Sequence, residues 1–445
     1  MGNENREQWG SKIGFVLAAS GSAIGLGNIW RFPYLTGMNG GAAFVFVYLL
    51  IVLFIGFTVM LAELVIGRAS QRGAVGAFKV LSKNPLWQLT GWAGVVCVGV
   101  ILSYYGVVAG WSIKYAIASF GDLMSVAEAG GAGDYFGAFI TNTTQVVIYQ
   151  VIFMIMTIYV VAGGIGGGIE RACKFMMPAL FAILIILIVR AVTLPGAEKG
   201  IEFYLNPDFS KITGTTLLVA LGQAFFSLSL GMGAMITYGS YLKRNDNIVT
   251  SSFYVVSMDT LIAFLAGFAI FPAVFAMGVQ PGAGPGLTFI TLPGVFARMP
   301  AGVFFSCAFF VLLFFAAFTS AISLLEAVAA YFKDELGWSR SKASWIMGAA
   351  ITALGVPSAM SLGGTPELFG MGFMDAMEYL SDKILMPLGA IFIVLFAGWM
   401  MADKIEKEIT SDGQYTFGLY NVWVWLARVV APAAIAIIFV NGIWG

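Results

Sequence analysis

The sequence predicts an all-α polytopic membrane protein of eleven transmembrane helices, and three observations carry that prediction. Apolar residues make up 59% of the 445 residues and charged residues 10%, with a mean hydropathy of +0.90, a balance no soluble domain of this size shows. Eleven apolar runs are long enough for the roughly 20 residues that a hydrocarbon core of about 30 Å requires. Two of them, the first and the sixth, are broken near their middle by glycines and small hydroxyl residues.

The runs cover residues 13–36, 42–67, 88–120, 143–162 and 169–190, then 213–242, 249–278, 301–332, 343–360, 373–402 and 418–442. The first is too long and too glycine-rich for a secretory signal core, so no cleaved leader is expected. Lys and Arg set the orientation. With the N-terminus in the cytoplasm, Arg6, Lys12, Arg68, Arg72, Lys79, Lys83, Arg171, Lys174, Lys243, Arg244, Lys333, Arg340, Lys342, Lys404 and Lys407 all fall inside. The stretch GLTFITLPGVFARMP, within Val279 to Pro300, is then an outside loop apolar enough to fold back as a lid.

Composition excludes several chemistries. There is no histidine, which removes histidine metal sites, zinc hydrolysis through HExxH and histidine proton relays. Cys97, Cys173 and Cys307 lie in apolar runs at unrelated spacings, so neither a disulfide framework nor a metal site is expected. The formal net charge is zero and no basic cluster suggests nucleic acid. The longest polar connections are short, so residues 1–445 are expected to form one membrane unit.

The break in the first run reads SGSAIGLGN from Ser20 to Asn28, followed by Arg31 and Pro33. Gly21, Gly25 and Gly27 each disfavour helix by up to about 1 kcal/mol relative to alanine. The sixth run reads GQAFFSLSLGMG, with Gln223, Ser227 and Ser229 ahead of Gly231 and Gly233. In hydrocarbon an unpaired backbone group costs several kcal/mol, so a span unwinds only where the freed groups face protein, water or a solute. Paired breaks in corresponding positions point to a transporter's binding site, where half-helix N-termini favour carboxylates and freed carbonyls favour cations. An amino-acid zwitterion with a small hard cation matches both.

Asp259 stands deep inside the seventh run, in YVVSMDTLIAFLAGF. A lone carboxylate there must bind a cation, pair with a base or stay protonated. In the eighth run, FFAAFTSAIS places Ala316, Thr319 and Ser320 at i, i+3 and i+4 on one helix face. Two hydroxyls and a carbonyl there suit a hard monovalent ion.

At these residues the chain resembles the neurotransmitter:sodium symporters. WGSKIGFVLAASGSAIGLGNIWRFPYLTGMNGGAAFVFVY is similar to the opening of that family, GQAFFSLSLGMGAMITYGSY to its sixth helix and FFAAFTSAIS to its eighth. Eleven runs rather than twelve resemble the bacterial branch, nearest its transporters of hydrophobic amino acids and of tyrosine. The resemblance implies the LeuT fold, with a five-helix repeat over about 11–190, an inverted copy over about 211–402, and an eleventh helix over 418–442.

The resemblance also implies roles. One sodium ion would be held by Ala23, Asn28, Ser227 and Asp259, and a second by Gly21, Ile24, Ala316, Thr319 and Ser320. The substrate carboxylate would meet the Gly25 and Gly27 amides and the Tyr105 hydroxyl, and its ammonium the carbonyls near Ala23, Phe226 and Ser229. Leu26, Ile101, Tyr105, Phe226 and Met232, with Ser227, Ser320, Ser323 and Leu324, would complete the substrate pocket. A methionine floor without acid or base suits large neutral apolar and aromatic side chains. An outer gate would pair Arg31 with Glu378 above Phe226, and an inner gate Arg6 with Asp334, near Trp9 and Tyr241.

Two features carry further expectations. Chloride-dependent members surround the anion with tyrosine, glutamine and two serines; Tyr48, Gln223 and Ser227 match, but Ala263 replaces the second serine and Asp259 the usual asparagine. A fixed carboxylate can do the anion's work, so chloride independence is expected, with proton antiport through Asp259 on the empty return. In the fifth run, GGIGGGIERACKFMMP leaves nine residues between Gly168 and Pro178, which removes a hydrogen bond to the Lys174 carbonyl. Local unwinding there would admit water to the second sodium site.

The expected activity is sodium-coupled, alternating-access symport of hydrophobic and aromatic L-amino acids, in the leucine, isoleucine, valine, methionine, phenylalanine, tyrosine and tryptophan class, across a bacterial inner membrane. Small neutral amino acids are an alternative substrate class. An amino-acid-gated channel is disfavoured by the absence of a charged ring or filter repeat, and an enzyme by the absence of a nucleophile–base motif.

Overall fold

The computed structural model describes residues 6–278 and 286–444. Nine helices among them have the length and apolar composition to cross a membrane: Ala42–Ser70, Pro85–Ala118, Thr143–Ala162, Ile165–Val192, Ile248–Ala276, Gly302–Leu336, Arg340–Ser361, Phe373–Met400 and Tyr420–Ile443. A tenth span is a bent pair, Lys12–Ala23 and Gly27–Met38, turned by 51° at the break. The sixth run, expected as one span over 213–242, is two helices, Gly214–Ser227 and Ala234–Gly239, each too short to cross alone. Counted as one broken span it brings the total to eleven, numbered 1 to 11 in chain order below.

Both breaks have local causes. Span 1 stops where Ile24 turns to an extended conformation (φ −73°, ψ 97°) and restarts at Gly27. Span 6 stops after Ser227 because Ser229, Gly231 and Gly233 adopt positive φ of 54°, 82° and 73°, a region glycine enters without strain and serine at a cost. The Gly231 amide freed by this turn donates to Glu63 Oε1 of span 2 at 2.7 Å. Span 10 comes so close behind that a Cβ at Gly389 would run into the Gly231 carbonyl.

Spans 3 and 8 pack along much of their length; the broken span 1 lies against spans 5, 7 and 8, and the broken span 6 against spans 2 and 8. The expected lid is a helical pair, Leu287–Thr291 and Leu292–Ala297, while 279–285 lie outside the described residues. Its Phe289 is fully buried, stacked on Phe136 at 5.5 Å and against Trp111 and Tyr115. Cys97 and Cys173 are buried free thiols and Cys307 is half-buried.

Span 5 is wound in this structure. Ile165–Glu170 form a wide π-helical turn that runs into Arg171–Val192, with Pro178 inside the helix. The Gly168 amide donates to the Gly164 carbonyl, and a Cβ at Gly168 would strike the backbone carbonyl of Val160. Gly168→Ala therefore tests close packing as well as unwinding. It is expected to cost about 1–3 kcal/mol by overpacking, read as a lower unfolding temperature together with slower transport. Wild-type stability and turnover would sink that reading.

Candidate functional site

The two breaks are bonded to each other. Ser229 Oγ donates to the Ser22 carbonyl at 2.9 Å, and Gln223 Nε2 to the Gly27 carbonyl at 2.8 Å. A narrow cavity opens between them, lined by Ala23, Gly25, Leu26, Gly27, Ile101, Tyr105, Phe226, Ser229, Met232, Ser320 and Leu324, with Ser22. No acidic or basic side chain lines it. Gly25 gives it room, since a Cβ there would stand 2.6 Å from Ser320 Oγ and 2.9 Å from the Tyr105 hydroxyl.

Two residues of the expected pocket are elsewhere. Ser323 lies behind the wall, accepting from Ser22 Oγ at 2.6 Å and donating to the Ser320 carbonyl. The Ser227 hydroxyl turns the other way, to Asp259. The Gly25 amide is also occupied, donating to Asn28 Oδ1 at 3.0 Å, and the Tyr105 hydroxyl accepts from the Leu26 amide at 3.2 Å.

Beside the cavity Asp259 is fully buried. Asn28 Nδ2 donates to its Oδ1 at 2.8 Å, and Ser227 Oγ lies 3.1 Å from both its oxygens. These neutral donors soften the carboxylate's desolvation without cancelling its charge. Asp259 is the one acidic side chain of this cluster. Nearby, Tyr48 Oη and Gln223 Oε1 are buried without hydrogen-bond partners, and Ala263 is buried one turn after Asp259.

A second oxygen cluster lies where span 8 meets the first half of span 1. Ser320 Oγ is 3.3 Å from the Gly21 carbonyl, 3.0 Å from Ser22's and 3.4 Å from Ile24's. Thr319 Oγ1 donates back to Phe315 at 3.0 Å and to Ala316 at 3.2 Å, and its Cβ would be 3.1 Å from one on Gly21. Five neutral oxygen-bearing residues, Gly21, Ile24, Ala316, Thr319 and Ser320, are thus neighbours. Carbonyl and hydroxyl oxygens are the donors hard cations take.

Closed contacts stand on either side of the cavity. On the N-terminal face Arg6 Nη1 pairs with Asp334 Oδ2 at 2.7 Å and its guanidinium lies 4.6 Å from the Tyr241 ring centre. Trp9 is buried, its Nε1 donating to the Tyr238 carbonyl at 3.1 Å. On the opposite face Arg31 lies 4.5 Å from the Phe226 ring centre, but its ion-pair partner is Asp382, at 2.9 Å, and not Glu378. Glu378 lines the same vestibule. The wide turn Leu380–Leu385 follows it in span 10, and carries the carboxylate one turn further along, at Asp382, to Arg31.

The N-terminal face has an anchor that sequence reasoning did not single out. Glu7 pairs with Lys333 Nζ at 2.7 Å and Arg340 Nη2 at 3.0 Å, and accepts from the Ile165 amide at 3.0 Å. Burial pushes its carboxyl upward, but Arg340, Lys333 and that amide outweigh it and hold the group down at about 2. A depressed carboxyl contributes above its unfolded value and loses that contribution only as pH falls through the folded one. Contacts made by Glu7 are therefore expected to stay intact from neutral pH down to about 4.5 and to fail toward about 2. Thiol accessibility on this face, measured along a pH series, should stay flat over the upper range; a transition near neutrality traced to Glu7 would contradict the assignment.

Glu63 and Glu326 also escaped the sequence reading. Both are fully buried within apolar runs, the same signal that drew attention to Asp259. Glu63 holds the break in span 6; Glu326 accepts from the Tyr241 hydroxyl and pairs with Arg340.

Two helices broken at mid-span around a cavity, with an oxygen cluster on either flank and a closed ion pair on either face, define a secondary transporter of small solutes. The chain belongs to the sodium:neurotransmitter symporter family, whose model matches residues 6–131 and 137–444. It is 40% identical to the uncharacterized sodium-dependent transporter YhdH of Bacillus subtilis, over 99% of this chain and 98% of that one. It is 31% identical to the human sodium- and chloride-dependent taurine transporter over 69% of this chain and 57% of that protein. Among solved structures, the crystal structure of MhsT in complex with L-phenylalanine superposes with a TM-score of 0.90 at 43% identity, covering 98% of this chain and 100% of that one. The chain is a multi-pass, sodium-dependent membrane transporter of the LeuT fold, and not an enzyme.

Proposed function

We propose that this transporter carries hydrophobic and aromatic L-amino acids into a bacterial cell across its plasma membrane, coupled to two sodium ions and independent of chloride. The observation that carries the reading is the cavity itself. The lining divides into polar atoms, from the backbone of both breaks and the Tyr105 hydroxyl, and the apolar side chains of Ile101, Phe226, Met232 and Leu324, with no charged side chain among the lining residues. That division suits an α-amino acid, whose charged groups meet half-helix ends while its side chain meets apolar surface. The likeness to a structure holding L-phenylalanine supports the same substrate class.

In this reading Ala23, Asn28, Ser227 and Asp259 hold the first sodium ion, and Gly21, Ile24, Ala316, Thr319 and Ser320 the second. The N-terminus is cytoplasmic by its basic loops, which makes Arg6–Asp334 the inner gate and Arg31–Asp382, over Phe226, the outer one. Two sodium ions with a zwitterion move two charges, each worth about 2.3 kcal/mol per 100 mV of membrane potential. A proton returning on Asp259 would subtract one.

The test is competition by each of the twenty amino acids against labelled L-phenylalanine in proteoliposomes, with sodium and chloride varied separately. Competition by leucine, methionine, tyrosine and tryptophan is expected, only with sodium and equally without chloride. Preference for glycine or alanine, or uptake that needs chloride, would overturn the corresponding part.

A further inference from the structure

On the N-terminal face, the segment leading into span 1 and the start of span 5 hold each other through two acids. Glu7 reaches across to the Ile165 amide at 3.0 Å. In the other direction Glu170, 2% exposed, accepts from the Gly10 amide at 2.8 Å and from Ser11 Oγ at 3.0 Å. Ser11 is the N-cap of Lys12–Ala23, its Oγ accepting from the Gly14 amide. Glu170 thus binds the cap and lies against the first turn, where a carboxylate is favoured by the unpaired amides of a helix N-terminus. The fit is close, since a Cβ on Gly14 would run into the Glu170 carboxylate. Lys174, one turn along span 5, pairs with Glu170 at 2.6 Å.

We infer that Glu7 and Glu170 form a reciprocal clasp that makes the glycine-rich start of span 5 and the first half of span 1 open toward the N-terminal face as one unit. Each acid takes a backbone amide of the other segment, so neither segment departs without uncovering donors on both. Gly163, Gly164, Gly166, Gly167 and Gly168 make the span 5 side the one that rewinds at low cost. Glu170 and Glu7 are positioning residues, touching neither the cavity nor the oxygen clusters. The inference rests on the alternating-access reading above, and its test is independent of which substrate is carried.

Cys173, fully buried three residues after Glu170, is a native reporter. With Cys97 and Cys307 replaced by alanine it is the only thiol of the three, and its labelling by a membrane-impermeant maleimide measures opening of this face in lipid nanodiscs with sodium. Glu170→Gln and Glu7→Gln are each expected to speed labelling about tenfold, and the double variant no more than either single one. Multiplying effects would show two independent contacts and overturn the clasp, as would unchanged rates. General loosening is separated by the matching protein that keeps only Cys97, whose labelling is expected not to change; an equal rise there also overturns the inference. L-Phenylalanine binding to the parent protein is measured in parallel, so failure of the substrate reading shows as lost binding with the labelling result intact.

Discussion

Asp259→Asn is expected to abolish chloride-free transport and to leave a remnant that chloride restores in part. The carboxylate is buried with only neutral donors around it, Asn28 and Ser227. A cation about 4 Å from such a charge gains about 4 kcal/mol at an effective dielectric of 20, and each 1.4 kcal/mol is tenfold in affinity. Sodium affinity should therefore fall roughly a thousand-fold. The Tyr48 hydroxyl, beside this cluster and without a partner, is the donor that would meet an added anion. Intravesicular pH should change with substrate flux in the wild type and not in the variant. Normal uptake by Asp259→Asn without chloride would refute the assignment of this carboxylate.

Gly25→Ala is the second large effect. Its Cβ would lie 2.6 Å from Ser320 Oγ and 2.9 Å from the Tyr105 hydroxyl, where the family resemblance puts the substrate carboxylate. Overpacking costs about 1–3 kcal/mol and a lost hydrogen bond to a charged group about 1.5–3 kcal/mol. Their sum predicts L-phenylalanine affinity weakened by at least about fifty-fold. Folding should survive, because the displaced atoms border a cavity. Sodium-dependent thermal stabilisation without substrate, retained in the variant, would show that the loss is local; unaltered L-phenylalanine binding would place the carboxylate elsewhere.

Much of this was legible in the chain. Hydropathy gave the spans because a lipid-crossing helix must be apolar over its whole length, and the two breaks stood out because glycine and serine interrupt that rule. Asp259 stood out because a carboxylate in hydrocarbon requires a reason. The outer gate was misread: Glu378 and Asp382 sit one turn apart on span 10, and pattern alone does not say which one the wide turn Leu380–Leu385 delivers to Arg31. Ser323 was placed in the pocket by the family resemblance, yet its hydroxyl is spent on Ser22 behind the wall.

The sequence by itself determined the membrane class, the paired breaks and the residue types around them, since these follow from local composition and periodicity. Only the tertiary structure decided which donors are already taken. The Gly25 amide goes to Asn28, the Ser227 hydroxyl to Asp259 and the Gly231 amide to Glu63. Glu170 spans 160 residues of sequence to reach Gly10. Hydrogen bonds form over about 3 Å of space, whatever the separation along the chain, so partners that distant are settled by how the spans pack.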